Sequence, residues 1–539
     1  MCGFRTLAVA IVLTAASLAA AQTAPAPLVR TETLGTLPSQ ILGEAMSKDA
    51  RHMAVVVARG AKSAVIADGK SDPEFDGIIK DSLTYSPDGK RLAYVASKGQ
   101  KQLVVIDGRP GPEYDLCPKA SLVFSSDGTR VTYVAVHGQK LLRVIDGQPG
   151  PEFDGIGSDS PVFSPDGKHT VYMARIGQKR MVMLDGKLEG DYDSIGVLTF
   201  SADSGRLSYV AQKGQKWLVV VDGQPGPELD GILKGTPIFT PDSKHFAYAA
   251  KKGQRFFIVI DGKTCPEYDG LADGMLVFSP DSAHIAYGAA RGQHFFVVVD
   301  GQEGMEFDGL NSLCFGPDSK RVAYNAKKGP GALVVIDRQP GPEYDGIVKG
   351  TPVFSPDGKH VAYVAGKDKK FIVVVDGQPG PAYDGIGLGP PLFSSDGQHV
   401  AYVAEQNPKQ FVVADGQPGP ACDTIIAGTL VFSQDGKHLA YGAKTGQKGR
   451  VVIDGEPGPE FDGIGGNALA FSPDGKHVAY VVGQQQKQIV VFDGQTDAAY
   501  DIVAMVPPAR LSFDADGTLA YLGVKDGVLY RIWHEAPRP

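Results

Sequence analysis

The chain has 539 residues, with 53 Lys and Arg against 61 Asp and Glu and a formal net charge of -8, a balance that gives no general drive toward nucleic acid. Its 68 glycines and 38 prolines recur at regular intervals, so beyond the first residues no uninterrupted stretch supports a helix of ordinary length. No later stretch approaches the roughly twenty consecutive apolar residues of a spanning helix, which argues against a membrane span.

The chain opens MCGFRTLAVAIVLTAASLAAAQ, with Arg5 before an apolar run at about 7–20 and small residues at 19–21. This pattern predicts a secretory signal peptide over residues 1–21 with cleavage before Gln22, and hence a periplasmic or secreted mature protein. Cys2 sits at the wrong end of the segment for lipid anchoring. Cys117, Cys265, Cys314 and Cys422 remain. They fall at different places in separated units, so they read as isolated thiols acting as small hydrophobes rather than as a disulfide framework.

From there on the chain is a repeat. The Asp of a Ser-Pro-Asp-Gly phrase, or its counterpart, recurs at Asp49, Asp88, Asp127, Asp166, Asp203, Asp242, Asp281, Asp318, Asp357, Asp396, Asp435, Asp474 and Asp516. Successive differences are 39 residues, apart from two of 37 and a last one of 42. One unit, residues 350–386, reads GTPVFSPDGKHVAYVAGKDKKFIVVVDGQPGPAYDGI. Period-two patterning with β-branched and aromatic residues predicts strands at 352–355, 360–365, 371–376 and 382–385. Pro356-Asp357-Gly358 closes the first, and Gly377-Gln378-Pro379-Gly380 follows the third. Asp-Gly and Pro-Gly pairs supply the backbone angles of tight hairpins. Four antiparallel strands per repeat is the blade of an all-β β-propeller, here with about 13 four-stranded blades.

The last unit offers only three strands, near 509–513, 519–523 and 528–533, whereas residues 29–34 form an extended candidate before the first unit. A strand from the N-terminus is therefore expected to complete the last blade and remove two sheet edges at once. Rings of four to eight blades are usual, which predicts two tandem rings of 6 and 7 blades: a first propeller over 22–310 and a second over 311–539. The boundary is expected at 308–314, where a 37-residue spacing meets the irregular text GMEFDGLNSLCFG.

Two phrases carry a family resemblance. VFSPDGKHVAYVA stands at 353–365, and endings of the form VVDGQPGPEYDGI recur, as in VVDGQPGPELDGI at 220–232. From 41 to 533 the chain resembles the WD40-like β-propeller repeats of the TolB type. That resemblance implies the propeller fold, with Ser-Pro-Asp-Gly following the innermost strand. The second phrase is an ending that TolB repeats lack, so TolB's partners are not implied.

The recurrent residues have structural readings. The Asp of Ser-Pro-Asp-Gly suits an Asx-turn beside a Gly of positive φ. The Tyr of pairs such as Tyr114-Asp115, Tyr268-Asp269 and Tyr344-Asp345 suits packing between blades. His360, His399, His438 and His477 share one repeat position that elsewhere holds Arg91, Arg130 and Arg321, so they read as solvent-exposed basic residues rather than metal ligands.

The turn between second and third strands is the most suggestive feature, written SKGQK at 97–101, HGQK at 137–140, QKGQK at 212–216, KKGQR at 251–255 and TGQK at 445–448. These turns emerge on one face, where Lys98, Lys101, Lys140, Lys179, Arg180, Lys213, Lys216, Lys251, Lys252, Arg255 and Arg291 are expected to form a basic circle. Third-to-fourth turns, such as 222–228, are expected to place acids on the opposite face. Such a positive face favours an acidic protein or an anionic envelope polymer, although Lys at hairpin tips also guards against edge pairing.

No catalytic or metal site is expected. There is no Gly-x-Ser-x-Gly elbow, His534-Glu535 lacks the second His of a zinc helix, and the glycines belong to hairpins rather than phosphate loops. Only Trp217 and Trp533 supply indole. The function read from the sequence is a non-enzymatic, cofactor-free scaffold of the cell envelope that binds a protein. The alternative is a polysaccharide-directed protein, either a multivalent glycan binder or a propeller lyase or hydrolase.

Overall fold

The computed structural model describes residues 28–37, 40–49, 51–157, 162–387, 389–503 and 511–535; the expected signal peptide lies outside them. These residues build thirteen antiparallel sheets. Numbered from the sheet of Ile41–Met46, blades 1 to 12 follow the chain, and blade 13 closes the ring with Leu519–Lys525 and Val528–Glu535. The described residues contain no α-helix, only a 3-10 turn at Lys119–Ser121.

Blade 9 shows why each repeat folds this way. Its inner strand comes in two pieces, Gly346–Ile347 and Val353–Phe354, both paired with the second strand Val361–Lys367. The third strand is Lys370–Val375 and the outer strand is Gln378–Tyr383. The outer strand starts four residues earlier than the sequence predicts. Asp376 and Gly377, at φ 50 and 76, make a complete two-residue hairpin turn, so Gln378 and Pro379 pair directly with Val375 and Val374. Proline fits there because the outermost strand has a side that needs no ladder hydrogen bonds.

The run Val361–Ala365 is buried at every position, as expected of a sheet covered on both faces. Alternate residues serve different neighbours. Tyr363 and Ala365 pack with Val334 and Tyr344 of blade 8, whereas Val364 packs toward Tyr402 and Val413 of blade 10. In eight interfaces the second-strand Tyr meets the outer-strand aromatic of the preceding blade edge to face, as Tyr344 meets Tyr363 at 6.2 Å and 73°. This is the preferred geometry of ring quadrupoles.

Such clusters join every blade to the next around the whole circuit, including blades 12 and 13 through Phe492 and Tyr521 and blades 13 and 1 through Leu529 and Val55. The molecule is therefore one closed ring of thirteen blades, and the division into rings of 6 and 7 is corrected. At the expected boundary the core is continuous, with Met275 and Phe307 of blade 7 packed against Leu313 and Tyr324 of blade 8. The short spacing has a local cause. The inner strands Ser194–Phe200 and Gly309–Phe315 have 7 residues where Gly270–Phe278 has 9, so two residues are missing from a bulge and the ring is unaffected.

Closure follows the sequence expectation. Leu28–Thr36 pairs antiparallel with Val528–Glu535 and becomes the outer strand of blade 13. Removing residues 28–36 leaves that edge open, so a lower thermal midpoint and concentration-dependent self-association are expected in calorimetry and size-exclusion chromatography. Replacing Tyr363 by Ala empties an inter-blade core, and a loss of about 3–5 kcal/mol is expected in urea unfolding.

Candidate functional site

The ring has two faces, and the repeat assigns each its polar side chains. On the face of the second-to-third-strand hairpins, the Asp that ends each outer strand acts as a clasp. Asp230 accepts Lys216 Nζ at 2.6 Å on one oxygen and the backbone N–H of Gly253, in the next blade, at 2.6 Å on the other. Asp115, Asp154 and Asp193 repeat this with Lys101, Lys140 and Lys179 and with the N–H groups of Gly138, Gly177 and Gly214. Arg255 and Gly292 do the same at Asp269. The Lys216 hydrogen bond, then the Gly253 N–H, holds the Asp230 carboxyl below the usual range.

Five of the predicted cations are thus clasp partners. Lys98 pairs with Glu113 at 2.7 Å and Arg291 with Glu303 at 2.8 Å. Lys251 leans over the Phe256 ring at 5.2 Å. Arg180, Lys213 and Lys252 are exposed and have no described carboxylate within salt-bridge reach. The expected segregation of charge is corrected for a topological reason. Each outer strand runs back from its Asp-Gly turn to the hairpin face and delivers Glu113, Asp115 or Asp230 beside the lysines. Of the predicted cations, those left over lie on blades 4 to 6, but Arg59, Lys62 and Lys444 are equally exposed on hairpins of blades 1 and 11. Sequence reading overlooked the exposed tip residues Lys327, Lys367 and Lys369, because Gly-Gln is replaced there.

The opposite face carries the Ser-Pro-Asp-Gly turns. Ser355 Oγ donates to Asp357 at 2.6 Å and accepts the His360 N–H at 2.9 Å, while the Lys359 N–H donates to Asp357 at 3.1 Å. This is the expected Asx-type turn, with Gly358 at φ 74. The histidines are more constrained than expected. His360 Nδ1 lies 2.6 Å from Asp376, whose other oxygen accepts the Val361 N–H at 2.9 Å. His399, His438 and His477 make the same pair with Asp415, Asp454 and Asp493, with ring exposures of only 23, 22 and 20%. The His360 side chain remains 38% exposed, whereas for His399, His438 and His477 the reading as solvent-exposed is corrected: the turn tucks the imidazole against the blade. Where Arg stands instead, it reaches the next blade, as Arg321 donates to the Lys359 carbonyl at 2.6 Å. Among the described residues no group of His, Cys, Asp or Glu is arranged to share a metal ion.

The closing blade departs from the pattern. His534 occupies the strand position of Asp376 and lies 2.9 Å from Asp497 of blade 12, which also accepts the Tyr521 hydroxyl. His534 and Tyr521 are almost wholly buried. Burial alone raises the Asp497 carboxyl, but the His534 and Tyr521 hydrogen bonds outweigh it and leave it lowered. The signal in the sequence was an Asp where other repeats have the Gly of Gln-Pro-Gly. Cys117, Cys265, Cys314 and Cys422 are free thiols, and burial raises the Cys314 thiol to about 11.

No protein-family model and no curated protein matches the chain. Among solved structures it is similar to TolB from Acinetobacter baumannii, at 17% identity over 46% of this chain and 78% of that one with a TM-score of 0.22. It is similar to the Dos1 propeller at 12% identity over 59% and 88% with a TM-score of 0.28. It is also similar to the β-propeller domain of the Trilobed protease from Pyrococcus furiosus, at 15% identity over 55% and 94% with a TM-score of 0.23. At these identities the likeness is one of fold alone.

The His477-Asp493 pair makes stability depend on pH. The Asp493 hydrogen bond raises the His477 imidazole above its ordinary 6.5. A raised folded value means the pair stabilises fully below the unfolded value and fades as pH rises through the folded one. His477→Gln is therefore expected to cost more stability at about pH 5.5 than at about pH 9, measured by urea unfolding.

Proposed function

We propose that this chain is a non-enzymatic propeller of the TolB-type repeat family, exported by the signal at residues 1–21 to the periplasm or cell exterior, where it holds an acidic partner protein on its hairpin face. The observation that carries this reading is how the polar side chains are spent. Asp, Ser, His and the hairpin-closing Lys of the repeat are engaged in the same intramolecular bonds blade after blade. What is left for recognition is a circle of exposed tips, with residual positive charge from residues such as Arg59, Arg180, Lys213, Lys252, Lys327 and Lys367 around the ring. A positive hairpin face on an acidic chain steers an acidic partner to that face. No helix among the described residues is long and apolar enough to cross a membrane.

Charge reversal tests the reading. The chain carrying Arg180→Glu, Lys213→Glu and Lys252→Glu is expected to keep its β-sheet circular dichroism. It is expected to lose crosslinking to its envelope partner, with affinity weakened by at least about tenfold and wild-type binding weakened by salt. Equal crosslinking by wild type and variant rejects the basic hairpin face as the binding surface. Turnover of an envelope substrate by the purified chain rejects the non-enzymatic assignment.

A further inference from the structure

Between blades 9 and 10, on the Ser-Pro-Asp-Gly face, a cleft of about 430 Å³ opens, within the range of small-molecule sites. Pro379, Phe393 and Val400 form its apolar wall, and Gln378, Gln398 and Asp415 supply polar groups. A second cleft of about 420 Å³ lies at the equivalent place between blades 2 and 3, but there Arg91 and Arg130 stand in the positions of His360 and His399, and Arg91 donates across the cleft to the Thr129 carbonyl at 2.6 Å, so its chemistry differs.

The repeat explains why these clefts are open. Tyr402 lines the first, and a Cβ on Gly380 would stand 3.7 Å from its hydroxyl; Gly111 faces Tyr133 in the same way at 3.5 Å. In two other interfaces this glycine is an aspartate. Asp72 accepts the Tyr94 hydroxyl at 3.0 Å, and Asp497 accepts that of Tyr521. The Asp72 side chain lies against Gly108 of the next blade, the counterpart of Gly416 and Gly147, which line the two clefts. Glu189 stands at the same repeat position and lies against Gly223 in the same way, so the protein fills this space three times with an oxygen-bearing side chain of its own. Where glycine stands instead, as beside Tyr441, the hydroxyl is buried with no hydrogen-bond partner, which costs free energy that an incoming oxygen recovers.

The remaining chemistry selects the ligand. Asp415 accepts the Val400 N–H at 2.9 Å and His399 Nδ1 at 2.6 Å, and each oxygen keeps a lone pair for a further donor. Asp376 and Asp415 face the same cleft, which disfavours an anion. A group with one apolar face, several hydroxyl donors and acceptors and no charge matches both walls.

We propose that the cleft between blades 9 and 10 is a subsite for a neutral sugar ring, its C–H face on Phe393 and Pro379 and its hydroxyls on Asp415, Gln378, Gln398 and Tyr402. This site lies on the face opposite the hairpin tips and is independent of the partner-protein reading.

The test titrates the full chain with maltohexaose, cellohexaose and chitohexaose by calorimetry and saturation-transfer NMR. At least one is expected to bind. The variant Gly380→Asp, which places at this cleft the side chain that Asp72 and Asp497 supply elsewhere, is expected to keep its β-sheet circular dichroism and to weaken that sugar by at least tenfold. Phe393→Leu alone is expected to weaken it as well and guards against a folding artefact. No binding of any of the three at about 10 mM, a level that detects even weak sites, overturns the proposal. So does equal binding by wild type and the Gly380→Asp variant.

Discussion

Every sheet in this molecule is buried on both faces, and that single constraint organises the rest. A four-stranded blade with Val361–Ala365 buried along its length has no face to offer water, so each blade must have two neighbours. A linear stack would leave two apolar faces exposed, and a ring leaves none. The burial of Tyr521, Leu522 and Leu529 in the closing blade belongs to the same logic. The strand Leu28–Thr36 completes that blade from the far end of the chain, and its ladder covers the long edge of Val528–Glu535.

Polar side chains are subordinate to this packing and fasten it. The outer-strand Asp bridges one blade to the backbone of the next, as Asp230 does with Gly253. The inner turn is fixed by Ser355 and Asp357, and the third-strand turn by His360 and Asp376. Because the same few bonds recur in blade after blade, a side chain that breaks the pattern stands out. Asp72 and Asp497 do so by filling an inter-blade space that glycine otherwise leaves open, and His534 by standing where other blades have an Asp and pairing with Asp497. Function in such a scaffold belongs to the surface that the shared bonds leave over.

The strands, their order and the closing role of the N-terminal segment were legible because they depend on local pattern: period-two alternation, Asp-Gly turns and a unit missing its fourth strand. The start of the outer strand was misplaced because Gln-Pro-Gly resembles a turn, although Asp376-Gly377 alone completes it. The charge of the hairpin face was misjudged for a related reason. Lys216 and Asp230 are 14 residues apart in sequence, and only the return of the outer strand brings them to 2.6 Å.

What the sequence by itself determined is the blade, since thirteen near-equal units of alternating apolar residues and Gly-bearing turns admit no other local structure. What only the tertiary structure decided is how many blades share one axis and which charges survive pairing. The number of blades in a ring depends on the small angle between neighbouring sheets, summed over interfaces such as Tyr344 with Tyr363. That angle is set by side-chain packing across blades, and no spacing along the chain records it.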